Sequence, residues 1–139
     1  MYFIFVQRKE IPSTKFQLAM NSTERFDLHE RTFTFAKSVR NFIRKIPKDI
    51  CNVEDIKQLT RSSGSVGANY IEANEALSRK DFFYRIKVCK KEAKESAYWL
   101  SLLHLFGKKD LEKIRVDLKN EAKEFIKIFS SIAHKQHTG

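Results

Sequence analysis

Lysine and arginine recur at helical intervals along three stretches of this chain. Lys37, Arg40, Arg44 and Lys48 make one line, Lys80, Lys87, Lys91 and Lys94 a second, and Lys119, Lys123 and Lys127 a third. Cations spaced three and four apart share one side of a helix, where they can follow a row of phosphates with an affinity that falls steeply as salt rises. The lines are interleaved with Glu24, Glu30, Glu121 and Glu124, which is also the make-up of a solubilising face. No RNA-binding motif with stacking aromatics is visible, so contact with backbone or overall shape is the chemistry these cations support, not base reading. The contact candidates are Lys37, Arg40, Arg44, Lys87, Lys91, Lys94, Lys123 and Lys127.

Other residue sets reach less far. The run SSGSVGA, Ser62 to Ala68, looks like a phosphate loop but does not end in Lys followed by Ser or Thr, so nothing would reach the outer phosphates. Gly64 and Gly67 fit a tight helix crossing instead, where close backbone approach offsets the roughly 1 kcal/mol a helical glycine costs. Glu72, Glu75, Glu92 and Glu95 stand at i, i+3 spacing on two helices. A bundle di-iron site would add Glu-x-x-His, and none occurs. Those acids read as partners for Lys and Arg on neighbouring helices. His134 and His137 form an isolated HxxH, a weak metal signal. Arg25 and His29 lie too close for the Arg–His spacing of small helical ribonucleases, and neither Cys51 nor Cys89 has a nearby His to activate it. The reading is a non-enzyme with no metal and no cofactor.

The elements that must position these groups are helices. The chain has 139 residues, enough for one domain, and only 4 Gly and 2 Pro, too few for a turn-rich β fold. Pro47 ends a first segment, Asn52 with Asp55 reads as the cap of a second, Ser78 with Asp81 caps a third, and Gly107 stops it before Asp110. The predicted helices are about 24–46, 53–77, 79–106 and 110–135, in a domain spanning 20–139. Residues 1–19 read as an N-terminal extension or arm, since MYFIFVQRKE lacks the basic start and the long apolar run of a signal peptide. No apolar run approaches a membrane span. Two thiols without CxxC spacing fit a reducing cytoplasm.

Each segment repeats apolar residues three and four apart. The first has Leu28, Thr32, Phe35, Val39, Phe42 and Ile46, and the second Ile56, Leu59, Ser63, Val66, Tyr70, Ala73 and Leu77. The third has Phe82, Ile86, Cys89, Ala93, Ser96, Leu100 and Leu103, and the fourth Leu111, Ile114, Leu118, Ala122, Phe125, Phe129 and Ile132. That spacing with short connections predicts an all-α, antiparallel up-down-up-down four-helix bundle. Phe33, Ala36 and Ile43 on the first helix, and Phe83, Trp99 and Leu102 on the third, lie off the stripe. Such surplus apolar surface points to self-association.

The net charge is +10. Residues 78–107 hold seven basic against three acidic side chains, whereas 51–77 hold two against four. A surface so divided favours a polyanionic partner.

The segments FDLHERTFTFAKSVRNFIRKIP, QLTRSSGSVGANYIEA and DFFYRIKVCKKEAKESAYWLSLL together resemble the bacterial family of four-helix bundles named for intervening sequences in 23S ribosomal RNA genes. The likeness runs from Phe26 to Leu105, and SVGAN departs from the Ile or Pro more usual there. It implies a ring-like homopentamer. It also implies kinship with the accessory variability proteins of diversity-generating retroelements, which are basic bundles that bind nucleic acid and a reverse transcriptase. Asn69, Glu72, Glu92 and Glu95 match the family pattern and, with Phe33 and Trp99, read as helix packing or subunit seam. The expected function is a non-enzymatic homo-oligomer binding structured RNA, or another nucleic acid or ribonucleoprotein, through basic faces. The alternative is an accessory scaffold for a protein such as a reverse transcriptase.

Overall fold

Pro47 has no N–H to give a helix, and the chain turns there as its sequence requires. The computed structural model of the protein describes residues 22–138. Within them α1 spans Ser22–Ile43, α2 Ile50–Asn74, α3 Arg79–Leu102 and α4 Lys109–His134, with a 3-10 turn at Lys135–His137. The expected arm at 1–19 lies outside the described residues.

Most helix ends differ from the sequence reading by one to four residues, including that of α1, which stops at Ile43 rather than 46. Asp49, not Asn52, caps α2: its Oδ1 accepts the Asn52 backbone N–H at 2.7 Å. α2 then stops at Asn74, and Leu77, expected in the core, is 95% exposed in the turn to α3. α3 stops at Leu102, well before Gly107, because Arg115 reaches over from α4 and donates to the carbonyls of Leu100 (2.9 Å) and Leu103 (2.6 Å). A cation on the last carbonyls replaces the glycine cap the sequence suggested. Gly107 serves the turn beyond, with φ +73° next to Phe106 at φ +57°. α4 begins at Lys109 with no side-chain cap, leaving Asp110 in its first turn. The Ser78 cap of α3 is as predicted, with its Oγ accepting the Asp81 N–H at 3.0 Å.

Pairs of contacts give the helix directions. Down α2 and up α3, Asn52 meets His104, Ser62 meets Ser96 and Asn69 meets Arg85. Arg115 reaches the end of α3, while Arg79 at its start donates to the carbonyls of Lys135 and Gln136 after α4. Each of these sequential pairs is therefore antiparallel. α1 lies on α2 and, more lightly, on α4. Arg31 holds that last seam through two bonds to Glu121, at 3.1 and 2.7 Å, and the carboxylate raises its guanidinium above its ordinary range.

The core is the set of stripes named above, closed by Phe35 edge-on to Phe125 at 5.4 Å and by Tyr70 beside Phe129. Ile56 and Ile114 sit at its margin. Phe83, expected off the stripe, is instead fully buried, edge-on to Phe82 at 5.0 Å and covered by the Arg79 guanidinium, whereas Phe33 and Leu102 of the same expected set are exposed. Two adjacent aromatics are thus both inside, which widens the buried face of α3. The glycines of α2 sit under α1. A Cβ at Gly67 would stand 3.0 Å from Thr32 Oγ1, and one at Gly64 3.1 Å from Arg40 Nη2. No described helix is long and apolar enough to cross a membrane.

Candidate nucleic-acid interface

Close approach of α1 to α2 determines what the first basic line can do. Gly64 leaves room for the Arg40 guanidinium, which lies across α2 and donates to Ala36 O (3.0 Å), Thr60 O (3.2 Å) and Ser63 Oγ (3.5 Å). All three acceptors are neutral, so the charge is fixed in place and not cancelled. Arg44 donates to Asn41 Oδ1 at 3.1 Å, again neutral. Lys37 stands with its Nζ 5.9 Å from the centre of the Phe33 ring. Among the described residues none of these three cations is ion-paired. With Phe33 and Ala36 they line one shallow hollow on the outer side of α1. Lys48, the fourth of the line, turns back to cap α1 at the carbonyls of Ile43 (3.2 Å) and Ile46 (2.8 Å).

The second line forms a groove elsewhere. Lys87, Lys90, Lys91 and Lys94 line it with Glu95 and with Ala133 of α4. Lys90 is absent from the sequence-based set because it falls beside the 87–91–94 line, although 87–90–94 is an equally good three-four spacing. Lys91 lies 3.8 Å from Glu92, so part of this charge is answered. On α4, Lys123 and Lys127 are exposed, and Lys127 pairs with Glu124 at 3.3 Å. The hollow lies at the α1–α2 edge and the groove at the α3–α4 edge. These are opposite sides of the bundle, so the first two basic lines do not share a face.

The polar set expected at a seam lies mostly between α2 and α3. Glu92 is buried, and Arg61 donates both to it at 3.4 Å and to Glu95 at 2.8 Å. Arg85 donates to Asn69 Oδ1 at 2.9 Å, while Asn69 itself donates to Ser65 O. Ser62 and Ser96 share a hydrogen bond at 3.0 Å in the core. Of the four acids expected to meet cations of an adjacent helix, Glu92 and Glu95 do so. Arg61 is their partner and Arg85 that of Asn69, two arginines that no sequence pattern singles out. Glu72 is exposed and stands apart from them. Trp99 packs half-buried against the core, edge-on to Tyr98, while Phe33 is 62% exposed.

Little here resembles a catalytic arrangement. His29, His104, His134 and His137 are all exposed, and His104 meets Phe106 edge-on at 4.2 Å. Burial pushes the Cys89 thiol far above its ordinary range, the reverse of an activated nucleophile. No three metal-binding side chains converge among the described residues.

Sequence comparison decides the lineage. The family model for 23S rRNA-intervening sequence proteins matches residues 24–131. The chain belongs to that family. The match takes in α4, beyond the Phe26–Leu105 stretch that carries the likeness in the sequence alone. A crystal structure of a protein of unknown function from the S23 ribosomal protein family of Bacteroides thetaiotaomicron is similar at 29% identity. The match covers 76% of this chain and 97% of that one, with a TM-score of 0.65. No curated protein matches the chain.

Proposed function

We propose that this family member is a non-enzymatic, homo-oligomeric bundle that binds structured RNA through its basic faces. The observation that carries the reading is the α1 hollow. Lys37, Arg40 and Arg44 share it with no carboxylate partner among the described residues. Three arginines at the helix seams, by contrast, take acids: Arg31 has Glu121, Arg61 has Glu92 and Glu95, and Arg115 has Glu112. Cations left unanswered on one face attract a polyanion by releasing its counterions. The family's name and the S23 ribosomal description of its structural relative point the same way.

Self-association, with the pentameric ring that the resemblance implies, is supported by apolar side chains left in water on α3. Tyr84 and Tyr98 are each 58% exposed and Leu102 49%. The same surface favours the second reading, a scaffold for a protein partner such as a reverse transcriptase.

The test is binding of a labelled structured RNA over a salt series, with duplex DNA as competitor, alongside the solution mass. Tight binding at ~150 mM salt with a steep negative slope is expected. An RNA that dissociates fully at that salt overturns the RNA reading and moves the scaffold to first place. A particle of 16.4 kDa overturns the oligomer.

A further inference from the structure

Phosphate tracking leaves one part of the α1 hollow unused. Phe33 is 62% exposed, more than any other phenylalanine whose side chain is described. Its neighbours in the hollow are Ala36 and three cations, Lys37, Arg40 and Arg44, so a largely apolar lining carries positive charge at its rim. A paired helix presents phosphates and sugars to such a surface and has no use for an aromatic face. An unpaired nucleotide has use for both, because its base can stack on the ring while cations take the phosphates on either side.

The geometry suits that division. Arg40 is immobilised by Ala36, Thr60 and Ser63, so it meets a phosphate without first losing its freedom. Its Nε and the second hydrogen of Nη2 are left over by those bonds and can be offered to a phosphate oxygen. Arg44 is more exposed, one turn further along. Lys37 lies near the ring now and is long enough to swing to a phosphate when a base arrives. From Phe33 to Arg44 the stripe runs about 16 Å along the axis, room for a base with its neighbouring phosphates.

A subunit seam is a poorer occupant for Phe33. It would desolvate three cations that have no ion-pair partner among the described residues, a cost that contact with phosphates does not carry. We infer that the α1 hollow receives one unpaired nucleotide, with the base on Phe33 and its flanking phosphates on Arg40 and Arg44. This rests on the nucleic-acid reading above and sharpens it from shape alone to recognition of an unstacked base.

The experiment compares the full-length protein with Phe33→Ala and Phe33→Tyr. Each is titrated against two RNAs of equal phosphate number, a hairpin with a fluorescent adenine analogue in its loop and a blunt duplex. The unsubstituted protein is expected to prefer the hairpin by about tenfold, the scale of one base–aromatic stack, and to quench the analogue. Phe33→Ala should lose the preference and the quench while keeping its duplex affinity, salt slope and solution mass. Phe33→Tyr should keep both signals. A Phe33→Ala variant that retains the hairpin preference overturns the inference and leaves phosphate tracking intact. So does one whose solution mass falls, which would put Phe33 in a seam. If the unsubstituted protein binds neither RNA, the broader reading fails and this one with it.

Discussion

Cys89 shows how far a residue's position can override its chemistry. In the sequence it is a thiol on an apolar stripe, and in the structure it is fully buried between helices, its thiolate disfavoured by desolvation. The unfolded chain holds that thiol in water, where it ionises near its ordinary pKa. As pH rises past that value the unfolded state sheds a proton the folded state keeps, so stability falls. The decline should reach up to about 1.4 kcal/mol per pH unit. Chemical unfolding at pH 7 and at alkaline pH should show the unsubstituted protein losing more stability than Cys89→Ala. Equal declines would mean the thiol is wetter than its surroundings indicate. The glycines of α2 were legible at the same scale. A helical glycine with no turn to make implies a neighbour's close approach, and Thr32 and Arg40 are those neighbours.

At the scale of elements, helix interiors were readable and most helix ends were not, the Ser78 start of α3 being the exception. The three-four stripes predicted nearly every core position, because burial on one face is a local consequence of 3.6-residue periodicity. The end of α3 and the role of Asn52 depended on partners far along the chain. Asn52 looked like a cap, yet it is 1% exposed inside the first turn of α2. Its amide nitrogen donates to Pro47 O (3.1 Å) and His104 O (2.9 Å), and its oxygen accepts the His104 N–H at 3.0 Å. It thereby ties the α1–α2 turn to the α3–α4 turn. Asn52→Ala should cost about 3 kcal/mol, since it strands buried polar groups on two loops. Asp49→Ala should cost only about 1 kcal/mol, the worth of a cap. Urea midpoints with an unchanged slope would measure both, and the reverse order would restore Asn52 to the role its sequence suggested.

For the whole molecule the decisive fact is that the basic lines face apart. α1 and α3 occupy opposite corners, with Lys37, Arg40 and Arg44 at one edge and Lys87, Lys90, Lys91 and Lys94 at the other. Charge reversal at each edge should therefore act independently. Lys37→Glu with Arg44→Glu, and Lys87→Glu with Lys94→Glu, should each weaken RNA binding. Each pair should also shrink the salt slope by about one for every phosphate it ceases to neutralise. The combined variant should show the sum of the two binding penalties within about 0.5 kcal/mol. A penalty well short of the sum would mean the two edges grip the same stretch of nucleic acid.

The amino-acid order alone determined the class of fold, the core and the excess of positive charge. Each of these follows from composition and from periodicity within a few turns of helix. Which cations are cancelled, where helices stop and which faces share a ligand were decided only by tertiary structure. Arg40, Arg61 and Arg115 are alike in sequence. One lies across a glycine on neutral acceptors, one meets two acids of the next helix, and one caps that helix's end. Their partners on other elements stand 12 to 34 residues away along the chain. A charge's electrostatic role depends on what folding brings within a few ångströms of it, and no local pattern encodes that.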